Sequence, residues 1–169
     1  MLFKLFNFFV DLCLLRRAPQ DLPASPYLFA VMLTVSVLVG AAGVSDMIPG
    51  IAALAASMLD AVIAMVLLKL LLRVKNFDNR FLQTATAVLG AGIILGLLAI
   101  PLQLSLNEEV MQSESGALVS LVYLLLLIWI QVVIGHILRH ALSVSMLLGV
   151  GLALTYSIIS GTVIQSVFL

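Results

Sequence analysis

Asp60 stands near the middle of IAALAASMLDAVIAMVLLKLLL, residues 51–72, an apolar run of helical length. A carboxyl group in such a run does one of two things. It handles a proton or a ligand in a protected interior, or hydrogen bonds hold it neutral and make its burial tolerable. It lies about 14 Å from the start of the run at the helical rise, close to a bilayer midplane. At that depth the neighbouring runs offer Thr34 and Ser36, then Thr155, Tyr156 and Ser157. Gln131 lies in the inner half of a further run. Asp60, Thr34, Ser36, Tyr156 and Gln131 therefore form a candidate intramembrane polar site.

His136 and His140 are spaced i, i+4 and share a helix face. That spacing can hold a metal, as in HExxH, but here the residues between them are Ile137, Leu138 and Arg139, with no glutamate. No metal site is expected. With Gln83, Thr84 and Thr86 at the start of another run, the histidines predict a polar cluster at one membrane edge. Its sharp reading is a wet vestibule, and its plainer reading is ordinary interhelical hydrogen bonding.

Catalytic patterns are incomplete. Ile158 stands where a GxSG serine, Ser160-Gly161, would need glycine, and one embedded acid is one short of an aspartyl dyad. No Walker A or dinucleotide fingerprint occurs. Cys13 is the only cysteine, so neither an internal disulfide nor a cysteine cluster can form. The expectation is a non-enzymatic protein with no catalytic residue and no cofactor. It has no basic surface for nucleic acid.

These residues have to be carried by membrane-spanning helices. Of the 169 residues, 63% are hydrophobic and only 9% charged, with a mean hydropathy of +1.27. A soluble domain carries about 25% charge, so the solvent for this chain is lipid. The predicted fold class is all-α, a polytopic transmembrane bundle of five spans at 27–44, 51–72, 81–104, 117–138 and 141–161. Arg139-His140 is expected to form a tight turn between the last two. In residues 1–15, Lys4, Asn7 and Asp11 make one polar stripe among phenylalanines and leucines. That pattern predicts an amphipathic helix in the membrane interface. Pro19, Pro23 and Pro26 make the rest of residues 1–26 a linker. Arg73–Arg80 is a polar connector, and Ser105–Gly116 an acidic loop.

If the sides are numbered alternately, all eight Lys and Arg residues fall on the N-terminal side, while Asp46, Glu108, Glu109 and Glu114 fall on the other. The positive-inside rule then predicts a cytoplasmic N-terminus and an outside C-terminus. Arg16, Arg17, Arg73, Lys75 and Arg80 are the candidates for meeting anionic lipid or a partner. Gly92 and Gly96 form GxxxG, and Gly149 and Gly151 lie in the last span. Small residues of this kind let helices pack closely within the bundle. A homo-oligomer through Gly92/Gly96 is their second use.

Residues 77–102, FDNRFLQTATAVLGAGIILGLLAIPL, and 129–156, WIQVVIGHILRHALSVSMLLGVGLALTY, resemble segments of small bacterial Yip1-like membrane proteins. Span count and orientation are similar too. The DLYGP-type motif of eukaryotic members is absent, and Asp21-Leu22-Pro23 is its nearest trace. The resemblance implies a bacterial inner-membrane protein with a membrane-organising or partner-binding role. Two functions stay open. One is a component binding lipids or another membrane protein, and the other is a small transporter, channel or proton-coupled subunit using Asp60. An intramembrane enzyme at the His136/His140 edge is a remote third.

Overall fold

A computed structural model describes residues 2–106 and 114–168. Six α-helices run in chain order: α1 (Leu2–Cys13), α2 (Pro26–Val44), α3 (Ile51–Val74), α4 (Phe81–Leu104), α5 (Glu114–Leu142) and α6 (Met146–Phe168). The last five are long and apolar enough to cross a membrane. In hydrocarbon each backbone amide must find its partner inside the segment, and the α-helix provides that. Local chemistry sets the ends. The Ser25 hydroxyl accepts from the Leu28 amide at 3.3 Å, and Pro26 takes the first helical position of α2. Gly50 enters α3 at φ +66°, a conformation that glycine adopts without steric cost.

Helix ends account for two departures from expectation. Helix α5 continues through Arg139 and His140 to Leu142, and the reversal falls on residues 143–145, with Ser143 at φ +54°. A cation suits the last turn of a helix, where its negative end lies, so Arg139 favours the continuation of α5. Helix α6 accordingly starts later and absorbs the tail, ending at Phe168. The loop residues Glu108 and Glu109 lie outside the described residues, as does the side chain of Glu114.

The five spans form a ring. Each helix packs on the next in the order α2, α3, α6, α5, α4, and α4 closes back on α2. Helix α1 and the linker after it lie across α4. Covered on several sides, α4 buries Thr84 through Ala87, Leu89 through Ala91, and Leu95. Two apolar clusters fill the end of the ring that carries α1. One joins Phe9, Leu12, Cys13 and Leu22 to Ala87, Ala91, Val133 and Ile137. The other joins Leu68 and Leu72 to Ala85, Leu138, Leu142 and Ala153.

Two close approaches set this packing. At Gly90 a Cβ would overlap the Phe9 ring, so the glycine is the seat of α1. At Gly149 a Cβ would overlap the Gly135 carbonyl oxygen, so this pair brings α5 and α6 together. Of the two glycines expected to pack in the last span, Gly149 does so, while a Cβ at Gly151 would meet nothing within 4 Å.

Docking of α1 is testable through its thiol. Cys13 is 6% exposed, and burial pushes its pKa from 9.0 up to about 11. Two pKa units leave about 100-fold less thiolate near neutrality. Maleimide labelling of Cys13 in the native protein is expected to be slow and to rise steadily from pH 7 to 10. Gly90→Ala, which pushes against Phe9, is expected to undock α1 and speed labelling at pH 7.5 at least tenfold. Equal rates in the two proteins would contradict the docking.

Candidate functional site

Asp60 lies on the face of α3 that meets α6. The Tyr156 hydroxyl donates to Asp60 Oδ1 at 2.7 Å, and the Ser160 hydroxyl donates to the same oxygen. Tyr156 and Ser160 are four residues apart on α6, so one helix face delivers both donors. The next residue, Ser157, turns toward α5. Gln131 Nε2 donates to Ser157 Oγ at 3.0 Å, and the Ser157 hydroxyl donates back to Gln131 Oε1 at 3.3 Å. Helix α6 is therefore tied by side chains to both ring neighbours at the level of the acid.

Above Asp60 the ring encloses a cavity of about 470 Å³. Small residues leave the space open: Gly40 and Gly43 on α2, Ala61 and Ala64 on α3, Gly92, Gly96 and Ala99 on α4, and Gly161 on α6. The polar lining is Ser36, Ser57, Asp60, Gln103, Tyr156, Ser157 and Ser160. Two of these side chains take up α2 carbonyls. The Ser57 hydroxyl donates to Val37 O at 2.9 Å, and Gln103 Nε2 donates to Gly43 O at 2.9 Å. The cavity reaches from Ala64, Val88 and Ile134, on the α1 side of Asp60, to Val44, Gln103 and Ile164 at the end of the ring away from α1. The two apolar clusters fill the opposite end.

The second carboxyl oxygen decides what this site can do. Among the described residues no donor reaches Asp60 Oδ2. Nor is it a sealed orphan, because every fully buried side-chain polar atom among the described residues has a partner. Oδ2 is therefore not fully buried, and Asp60 lines a cavity that no Lys or Arg lines. The arrangement positions the carboxyl through one oxygen and leaves the other without a protein donor among the described residues.

Of the sequence-predicted site, Asp60, Ser36 and Tyr156 share the cavity, and Gln131 stands behind Ser157. Thr34 does not join them. Its hydroxyl donates to Ala30 O of its own helix at 3.0 Å, and it lines a groove between α2 and α3 on the outside of the ring. Depth fixes height but not rotation. Thr34 and Ser36 are two residues apart, about 200° around a helix with 3.6 residues per turn. Thr155 likewise bonds back, to Gly151 O. Sequence reasoning missed Ser57, Gln103 and the role of Ser160. Ser160 carried a signal, its four-residue spacing from Tyr156. Gly92 and Gly96 line the cavity, and a Cβ at Gly96 would press on Val39 of α2.

The predicted edge cluster is a seam between the linker and the helix ends. The buried His136 meets Arg17 O at 3.0 Å through Nε2, which must carry the proton because a carbonyl only accepts. Gln20 Nε2 donates to His140 O at 2.7 Å, and Gln83 Nε2 donates to Leu22 O at 2.7 Å. Arg80 donates to Ala141 O at 3.1 Å and lies over the Phe77 ring. Thr84 and Thr86 donate to Arg80 O and Leu82 O of the same chain stretch. Most of these polar groups bond to backbone carbonyls, and the His140 ring lies edge-on to His136 with centroids 4.6 Å apart.

Removing one donor to Asp60 is expected to loosen the α3–α6 contact. Tyr156→Phe and Ser160→Ala should each lower unfolding free energy in mixed micelles by about 0.6–1.7 kcal/mol. In an Asp60→Ala background, which removes the acceptor, the loss from Tyr156→Phe should shrink, because the two share one bond. Strict additivity would contradict the coupling.

No family model matches this chain, and no curated protein or solved structure matches it either.

Proposed function

We propose that this multi-pass membrane protein is a non-enzymatic, transporter-type component that takes a small organic cation, an amine with an apolar body, into the cavity above Asp60. The observation that carries this reading is a cavity-lining Asp60 with donors on Oδ1 alone, among the described residues, and no Lys or Arg in the lining. A carboxylate in hydrocarbon without a countercharge is costly. An ammonium group brings the missing charge, worth about 4 kcal/mol for a unit pair about 4 Å apart at an effective dielectric of about 20. Apolar walls with a few convergent polar groups suit the rest of such a ligand, and the volume falls within the usual range of about 300–1,000 Å³.

A second reading rests on the other end of the ring. Arg16, Arg17, Arg73 and Lys75 are exposed there, while Arg80 is engaged with Ala141. Placed in the cytoplasm of a bacterial inner membrane, that end would meet anionic head groups or a partner membrane protein. The exposed Phe3 and Phe6 of α1 suit an interfacial position. The Yip1-like segments favour the same non-enzymatic role.

The cavity reading is tested by uptake of a fluorescent hydrophobic primary amine into vesicles holding the purified protein. Wild-type uptake is expected to saturate, and Asp60→Asn to reduce it to the level of empty vesicles. Gly92→Leu should do the same by filling the space, since a Cβ at Gly92 meets nothing within 4 Å. Uptake that survives both changes would remove the reading. Purification in mild detergent that returns neither a stoichiometric partner nor an enriched lipid would count against the second.

A further inference from the structure

A second hollow, separate from the central cavity and not dependent on its reading, lies where α1, the linker and the start of α2 meet. It has a volume of about 500 Å³. Leu5 and Phe8 of α1 and Leu28 and Val31 of α2 give it apolar walls, and Lys4 and Asp21 also line it. The outer groove between α2 and α3 has no such pair. Its lining is apolar apart from Thr34, and it offers a lipid chain no particular head-group partner.

Lys4 and Asp21 are both exposed. Among the described residues the one ion pair joins Asp11 to Arg17, so Lys4 and Asp21 pair neither with each other nor with another charge. Asp21 Oδ2 accepts from the Ala18 amide at 3.2 Å, which fixes the carboxylate. The hollow therefore presents one cation and one anion beside a single apolar slot. An anionic lipid would meet Asp21 with the wrong sign. A choline head group has no N–H to donate to it. A zwitterionic lipid with a primary ammonium satisfies both charges, its phosphate on Lys4 and its ammonium on Asp21, with an acyl chain along Phe8 and Val31.

We propose that this hollow is a binding site for one phosphatidylethanolamine-type lipid, clamped between the Lys4 ammonium and the Asp21 carboxylate. The first turn of α2 lies beside it, and the positive end of a helix adds to the attraction for phosphate.

Native mass spectrometry of the full chain, released from detergent after equilibration with phosphatidylethanolamine, phosphatidylcholine and phosphatidylglycerol of equal acyl chains, tests the assignment. The wild type is expected to retain one phosphatidylethanolamine at least fivefold over each of the others. Lys4→Gln should lower retention of all three. Asp21→Asn, which keeps an acceptor for the Ala18 amide, should remove the preference over phosphatidylglycerol. Val31→Trp fills the slot without touching either charge, and should abolish retention while helicity stays at the wild-type level. Equal retention of the three lipids by the wild type, a wild-type preference for phosphatidylglycerol, or retention unchanged in Val31→Trp would each overturn the proposal.

Discussion

A carboxyl group at the centre of an apolar layer has to be met by donors, water or a counter-ion, because hydrocarbon supplies none of them. Much of this ring is arranged around that constraint. Helix α6 brings Tyr156 and Ser160 to one oxygen of Asp60. The same helix is held to α5 by the Ser157–Gln131 exchange and by the Gly135–Gly149 approach. The donors are thus fixed by packing before the acid is considered. Oδ1 is satisfied in this way, and among the described residues Oδ2 has no donor.

The distribution of side-chain size along the ring follows the same division. Toward α1 the interior holds Leu68, Leu72, Val133, Ile137 and Leu142, all buried. Toward the other end it holds glycine, alanine and serine, and the space stays open. Open space thus lies toward one end of the ring and packed side chains toward the other. Helix α1 reinforces the filled end. Phe9 occupies the surface that Gly90 leaves free, and the linker carbonyls receive His136 and Gln83.

How much of this was legible in the sequence varied with the kind of information needed. Span positions followed from apolar run length, which lipid dictates directly, and Phe81–Leu104 matches its predicted bounds. The Asp60–Tyr156 contact followed from equal depth counted along two runs. Thr34 failed on the same count because depth carries no rotation. Ser160 was set aside as an incomplete protease motif, although one helical turn from Tyr156 places it beside the same acid. Arg139 and His140 suggested a turn, yet the Arg139 charge complements the negative end of a helix that continues. Phe9 against Gly90 joins residues far apart in the chain, and no local pattern in either segment announces it.

In the function proposed above, Asp60 meets a cation that enters the cavity it lines. Difference infrared spectroscopy of the protein in bilayers measures this directly, with Asp60→Asn identifying the band. The account predicts a band of the Asp60 side chain that disappears in Asp60→Asn and shifts when a hydrophobic primary amine is added at constant pH. A band assigned to Asp60 that does not respond to the amine would contradict it, and would leave the acid as a clasp between α3 and α6.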